Sequence, residues 1–412
     1  MKSTNSKAIL FTLCLFIFID SISAGIVYPI MPELFLNAKY GLVSSSSFLS
    51  PQMLYGLAFA LFPLAGFLGM PIIGSLSDFY GRKNLIIIGM FGICISDVIS
   101  CISIFTHDVY LFLFSRLIMG FCAGAFVVGN AIIADISSDE KSGMNNFRWP
   151  MIASILGFVL GPLIGSSAAL AEGSSSLSLP FLIALALGWL NLYMLYKYLP
   201  NTLNKKSTEA FSIWKVFKSM YSVLNSKLLI VLSISYILFQ FCIGLFIQSI
   251  SLYLAQSFGY STGNIGLFFT FMCLGVAISS MVIQPILLKF MEVKSVVSIS
   301  VLIVVLMLLV QGVNELQTVD ASLWLVIVTS FILYLFLPLA GTGFTSIYSN
   351  LSSKENKGSM MGLMGQMYSV TWFMGGILVG YMVAADEAMM IFIASGLGFI
   401  SFLICFFMKR FV

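Results

Sequence analysis

Charged residues are scarce in this chain. Lys, Arg, Asp and Glu make up 9% of its 412 residues, against about 25% in soluble domains. Hydrophobic residues make up 59%. A water-soluble core of this length cannot absorb that share, so lipid must be the main solvent. Histidine is almost missing as well. The single copy, His107, falls in a predicted outer loop, which argues against a catalytic or metal-binding histidine set. The outer loops hold no cysteine, because all seven lie inside apolar stretches. That pattern excludes a disulfide framework and reads as buried thiols behaving as small hydrophobes. No Gly-x-x-x-x-Gly-Lys-Ser/Thr loop is present to cradle phosphates, so ATP hydrolysis is not expected. No cofactor and no metal are expected either. The net charge of +4 reflects the inner loops alone and does not imply a nucleic-acid partner.

Long apolar runs are abundant instead. Twelve are long enough to cross a hydrocarbon layer of roughly 30 Å, near 8–36, 51–77, 84–105, 108–137, 143–171, 179–199, 227–257, 262–291, 295–313, 322–350, 356–384 and 387–408. Lys2 and Lys7 before the first run resemble the start of a signal peptide. That run is too long for one and carries Asp20, so an uncleaved first span is expected. With both termini inside, 18 of the 20 Lys and Arg residues fall on the cytoplasmic side. Lys39 faces outward and Arg116 lies within a span. The expected fold is therefore an all-α integral membrane protein of twelve transmembrane helices.

Six spans precede the one long polar connection and six follow it. The expected organisation is a first bundle over 1–200, a linker over 201–226 and a second bundle over 227–412. Within the linker, Trp214, Phe217, Met220, Tyr221 and Leu224 recur at helical spacing among lysines, the pattern of an amphipathic helix on the membrane surface. The halves echo each other. Ser138–Gly143 leads into span five and Ser353–Gly358 into span eleven, 215 positions later, and the same offset carries Gly161 to Gly376 and Gly165 to Gly380. Small residues at every fourth position let a neighbouring helix approach closely. An internal repeat of this kind suits a protein that exposes a central site to each side in turn.

Three charges stand inside spans. Asp20 lies about 18 Å from the inner face, Asp97 about 20 Å and Arg116 about 18 Å, at 1.5 Å per helical residue. Ionised residues at membrane depth are costly, so these three are candidates for a proton-handling site. No ionisable residue is expected within a span of the second half, where Gln240, Gln248, Gln284, Asn350 and Gln366 are the polar membrane residues.

The stretch Gly74-Ser-Leu-Ser-Asp78-Phe-Tyr-Gly81-Arg82-Lys83 resembles the signature that major facilitator superfamily transporters carry between spans two and three. Its poor counterpart near Gln284–Lys294 lacks the glycine and the acid. Asp20-Ser-Ile-Ser-Ala-Gly25-Ile-Val-Tyr28-Pro29-Ile-Met-Pro32 resembles the first span of tetracycline/proton antiporters. Leu113-Phe-Ser-Arg116-Leu-Ile-Met-Gly120-Phe-Cys-Ala-Gly124 is similar to the superfamily's span-four motif, whose arginine is linked to proton transfer. Gly157-Phe-Val-Leu-Gly161-Pro162-Leu-Ile-Gly165 is similar to the antiporters' span-five motif, and Ile133-Ala-Asp135-Ile resembles the end of their span four.

The resemblance implies two pseudo-symmetric six-helix bundles and alternating access. It also implies a bacterial inner-membrane antiporter, acting as a monomer, that exchanges protons for an amphipathic small molecule. By the same likeness, Asp78 would face the start of span eleven and Arg82 would reach Asp135 as an inner gate. A membrane acid common in the second half of tetracycline exporters is missing here. Tyr28, Asn130, Phe158, Tyr236, Gln240, Gln366 and Trp372 are candidate cavity residues, with Phe126 and Tyr334 beside them. Proline at 162 is expected to break the hydrogen-bond ladder of span five. A proton symporter on the same fold is the alternative, and a membrane enzyme or receptor the remote one.

Overall fold

The computed structural model describes residues 3–37, 41–43, 48–135, 140–170, 174–200, 214, 218, 227–316, 322–351, 357–382 and 387–408. Among the described residues the chain is helical, without strands. Spans one to three are Ser3–Leu36, Pro51–Tyr80 and Arg82–Thr106. Span four is built in two pieces, Val109–Cys122 and Ala125–Asp135. Span five, Glu140–Gly165, tightens into a 3-10 turn at Ser166–Leu170, and span six is Ser174–Tyr198. Span seven is Lys227–Phe258. Span eight runs from Thr262–Ile278 through a π-helical stretch, Ser279–Ile283, into Gln284–Phe290. Spans nine to twelve are Val293–Leu316, Leu323–Leu351, Lys357–Met382 and Glu387–Met408.

Eleven of these helices are long and apolar enough to cross a membrane. The other, span eleven, has the length at 26 residues but dilutes its apolar run with Gln366, Ser369, Thr371 and several glycines. Turn chemistry sets the boundaries. Gly81 sits at φ 95° and donates to the Ser77 carbonyl, a backbone shape that side chains resist. His107, at φ 52°, ends span three, and Asp108 then caps span four by accepting from the Tyr110 and Leu111 N–H groups.

One expectation needs correction. Span nine extends past its expected end, so half-buried Glu315 stands in a second-half helix after all. Span five stays helical through Gly161-Pro162, where the proline still takes its own N–H out of the ladder. The linker lies outside the described residues except for Trp214 and Lys218.

The chain divides into two compact units. One comprises 1–54, 61–217 and 260–270; the other comprises 55–60, 218–259 and 271–412. Each is wired alike. In the first, span one packs on spans five and six, and span three on spans four and six; in the second, span seven packs on spans eleven and twelve, and span nine on spans ten and twelve. The repeat in sequence is thus a repeat in packing.

Candidate functional site

Arg116 is 3% exposed and Asp97 2%. Both are held in the first unit where spans three, four and six meet. Arg116 donates from Nη2 to Ser100 Oγ at 3.0 Å, and its guanidinium lies 4.9 Å from the Phe112 ring centre and 5.6 Å from that of Phe181. Ring faces attract a cation that has left water behind. Asp97 lies within electrostatic range of the guanidinium. Hydroxyls complete the cluster: Ser96 donates to the Ser115 carbonyl at 2.8 Å, and Ser100 and Ser115 share a hydrogen bond of 2.8 Å. Arg116 Nε has no partner among the described residues. Sequence reasoning missed the serines, although Ser96, Ser100 and Ser103 flank Asp97 at helical spacing and carried the signal.

Asp20 is placed differently. It is half-buried on span one, and no charged neighbour acts on it among the described residues. The structure therefore brings Asp97 and Arg116 together and leaves Asp20 apart from them. On span one the face that meets span five carries Phe18, Ser21, Ile22, Gly25 and Ile26, and Asp20 lies about half a turn away from it. A Cβ on Gly161 would stand 2.8 Å from both Gly25 Cα and Ile22 O, one on Gly157 2.5 Å from Phe18 O, and one on Gly165 2.5 Å from Ile26 O. All three glycines are obligatory for this approach. Ser21 and Ser154 add a hydrogen bond of 2.9 Å across it.

The signature's bases turn toward helix backbones. Arg82 Nη1 donates to the Ala131 carbonyl at 2.5 Å, one turn before Asp135, and Lys83 Nζ donates to the Tyr196 carbonyl at 2.8 Å. Gly74 would meet a Cβ only by ordinary contact, with Val127 at 3.5 Å. The side chains of Asp78 and Asp135, and those at the start of span eleven, lie outside the described residues.

The candidate cavity residues scatter. Tyr28 is half-buried with its ring 5.1 Å from Phe269, Asn130 is half-buried, and Phe158 is exposed on span five. Phe126 is half-buried and Tyr334 is buried. In the second unit, Gln240 Nε2 donates to the Tyr236 hydroxyl at 2.8 Å, and Tyr236 packs edge-on against Phe344 and Tyr348. Trp372 packs at a tilt against Tyr368, with ring centres 4.9 Å apart. Buried Gln248, one of the polar membrane residues of the second half, donates to the Trp372 carbonyl at 3.1 Å. Both amide atoms of Gln366, the Trp372 indole nitrogen and Gln248 Oε1 have no hydrogen-bond partner among the described residues. Unmet groups of this kind are what a bound polar molecule or water would satisfy.

Twin helical units wired alike, with a buried arginine and acid in one and unmet amides in the other, have the arrangement of a membrane transport protein. The Major Facilitator Superfamily profile matches residues 13–242 and 232–411, and the chain belongs to that family. It is 27% identical to the quinolone resistance protein NorA of Staphylococcus aureus over 90% of this chain and 89% of the relative. It is 30% identical to the class C tetracycline resistance protein of Escherichia coli over 47% of this chain and 44% of that protein. The fold matches the xylose transporter XylE from E. coli with a TM-score of 0.76 at 15% identity, covering 100% of this chain and 98% of that one.

Proposed function

We propose that this protein is a proton-coupled antiporter that exports amphipathic small molecules, a drug or an endogenous metabolite such as a siderophore, by alternating access. The observation that carries the reading is the cluster of Asp97, Arg116 and Ser100 inside the first unit. A charge at membrane depth is costly to keep and is retained where protons or substrates pass. Asp20 is the more accessible acid and is the proton carrier in this scheme. It sits on span one, the helix that the Gly157-Gly161-Gly165 face grips along its other side, so a change in its charge acts on a helix held by close packing. Asp97 and Arg116 form the buried counterpart that holds spans three, four and six together.

The likeness to resistance proteins supports small-molecule efflux, and the aromatic, sparsely charged second unit suits a neutral or amphipathic cargo. The remaining parts of the proposal are two six-span halves joined by the 201–226 linker, inside termini in a bacterial inner membrane, and function as a monomer without a cofactor. Asp78, Arg82 and Asp135 serve as the inner gate in the same scheme. The test is transport by purified protein in vesicles with an imposed pH gradient, over a compound panel that includes fluoroquinolones, tetracyclines and siderophores. Accumulation against the proton gradient supports the reading. Movement of cargo together with protons, or none dependent on pH, overturns it.

A further inference from the structure

We infer that the second unit holds an anionic phospholipid, with one acyl chain lying between spans seven and twelve and its phosphate on Lys227. This goes beyond the transport reading and does not rest on it; it rests on the basic ends of the spans facing the inner leaflet. A groove of ≈560 Å³ runs along the two helices, lined by Leu228, Val231, Ile400, Leu403 and Phe407, with Lys227 at its end. Val231, Ile400 and Phe407 are exposed, so the groove opens outward toward lipid. Every lining side chain but one is apolar, which suits a hydrocarbon chain and offers nothing to a polar metabolite.

The one exception sets the headgroup. Lys227 is the first residue of span seven and is exposed, at the level where headgroups begin. The segment before it carries Lys205, Lys206, Lys215 and Lys218 against a single acid, Glu209. A basic cluster at the cytoplasmic end of a membrane helix attracts anionic lipids. An apolar trough ending in a base is therefore complementary to a phospholipid that has a net negative charge, and less so to a zwitterionic one.

The experiment is native mass spectrometry of the full-length protein released from detergent after equilibration with phosphatidylglycerol and phosphatidylcholine in equal amounts. Wild type should retain one phosphatidylglycerol in preference to phosphatidylcholine. Lys227→Gln, an exposed change that leaves folding intact, should cut that preference about fivefold, the effect of one interfacial lysine. Leu403→Trp should fill the groove and lower retention of both lipids, with unchanged elution on size exclusion as the check on folding. Equal retention of the two lipids by wild type overturns the proposal. So does a preference that survives Lys227→Gln, or failure to retain any lipid.

Discussion

Spans three and four in the first unit meet much as spans nine and ten do in the second, yet their polar centres differ in kind. In the first, Arg116 donates to Ser100 beside Asp97. In the second, the amide of Gln311 donates to Thr329 Oγ1 at 2.8 Å and to Ser330 Oγ at 2.9 Å. Gln311 stands 211 positions after Ser100 and Thr329 stands 213 after Arg116, within about a turn of the 215-residue repeat, so neighbouring places hold a charged cluster in one half and a neutral one in the other. A neutral network glues helices cheaply, while a charged one costs several kcal/mol of desolvation per ion and pairs only in good geometry. The halves share an architecture, and at this meeting of helices the first carries buried charge while the second is held by neutral groups.

The sharpest way to break the contrast is to remove one ion. Arg116→Ala should cost about 3–5 kcal/mol, because Asp97 is left buried without its cation. Thermal unfolding in detergent should show the loss, and pH-driven transport should vanish. The double variant Asp97→Asn with Arg116→Gln makes the first cluster a neutral copy of the second. It should regain most of the stability while still lacking normal pH dependence; recovery of the wild-type pH–rate profile would reduce the pair to packing.

The glycine faces give the next largest effect. Gly161→Val should destabilise the seam by more than the about 1–3 kcal/mol typical of overpacked cores, since backbone atoms of span one cannot move aside. Its partner by sequence offset is Gly376, whose Cβ would meet Gly56 O and Ala60 N at 2.8 Å, so Gly376→Val should fail at span two rather than at span seven. Cross-linking of paired cysteines along each seam distinguishes the two. Gly81→Ala follows, with an expected cost of about 1–3 kcal/mol for a side chain at that backbone shape, measured as a lowered melting temperature. Smallest of all, Gln311→Leu should cost about 0.6 kcal/mol, near the mean for interhelical hydrogen bonds in membranes, with transport unchanged. A large loss of transport there would mean that the second half's neutral cluster takes part in coupling.

Asp20 tests the division of labour within the first half. Asp20→Asn should leave folding intact and abolish transport driven by a pH gradient, while substrate still exchanges down its own gradient. Full pH-driven transport would pass the proton to Asp97.

The sequence by itself determined the solvent, the number of long helices and the twofold repeat. Hydropathy, basic-residue placement and the 215-residue offset are local or periodic properties that survive without a structure. It also marked Asp20, Asp97 and Arg116, because charge inside an apolar run is conspicuous however the chain folds. It could not assign partners. Equal depth along three helices says nothing about which faces meet, and helix rotation and packing placed Arg116 with Ser100, Phe112, Phe181 and Asp97 while leaving Asp20 apart from them on span one. Nor could the matching glycines reveal that Gly161 meets span one whereas Gly376 meets span two. Those choices depend on contacts between residues far apart in the chain, and only the tertiary structure decides them.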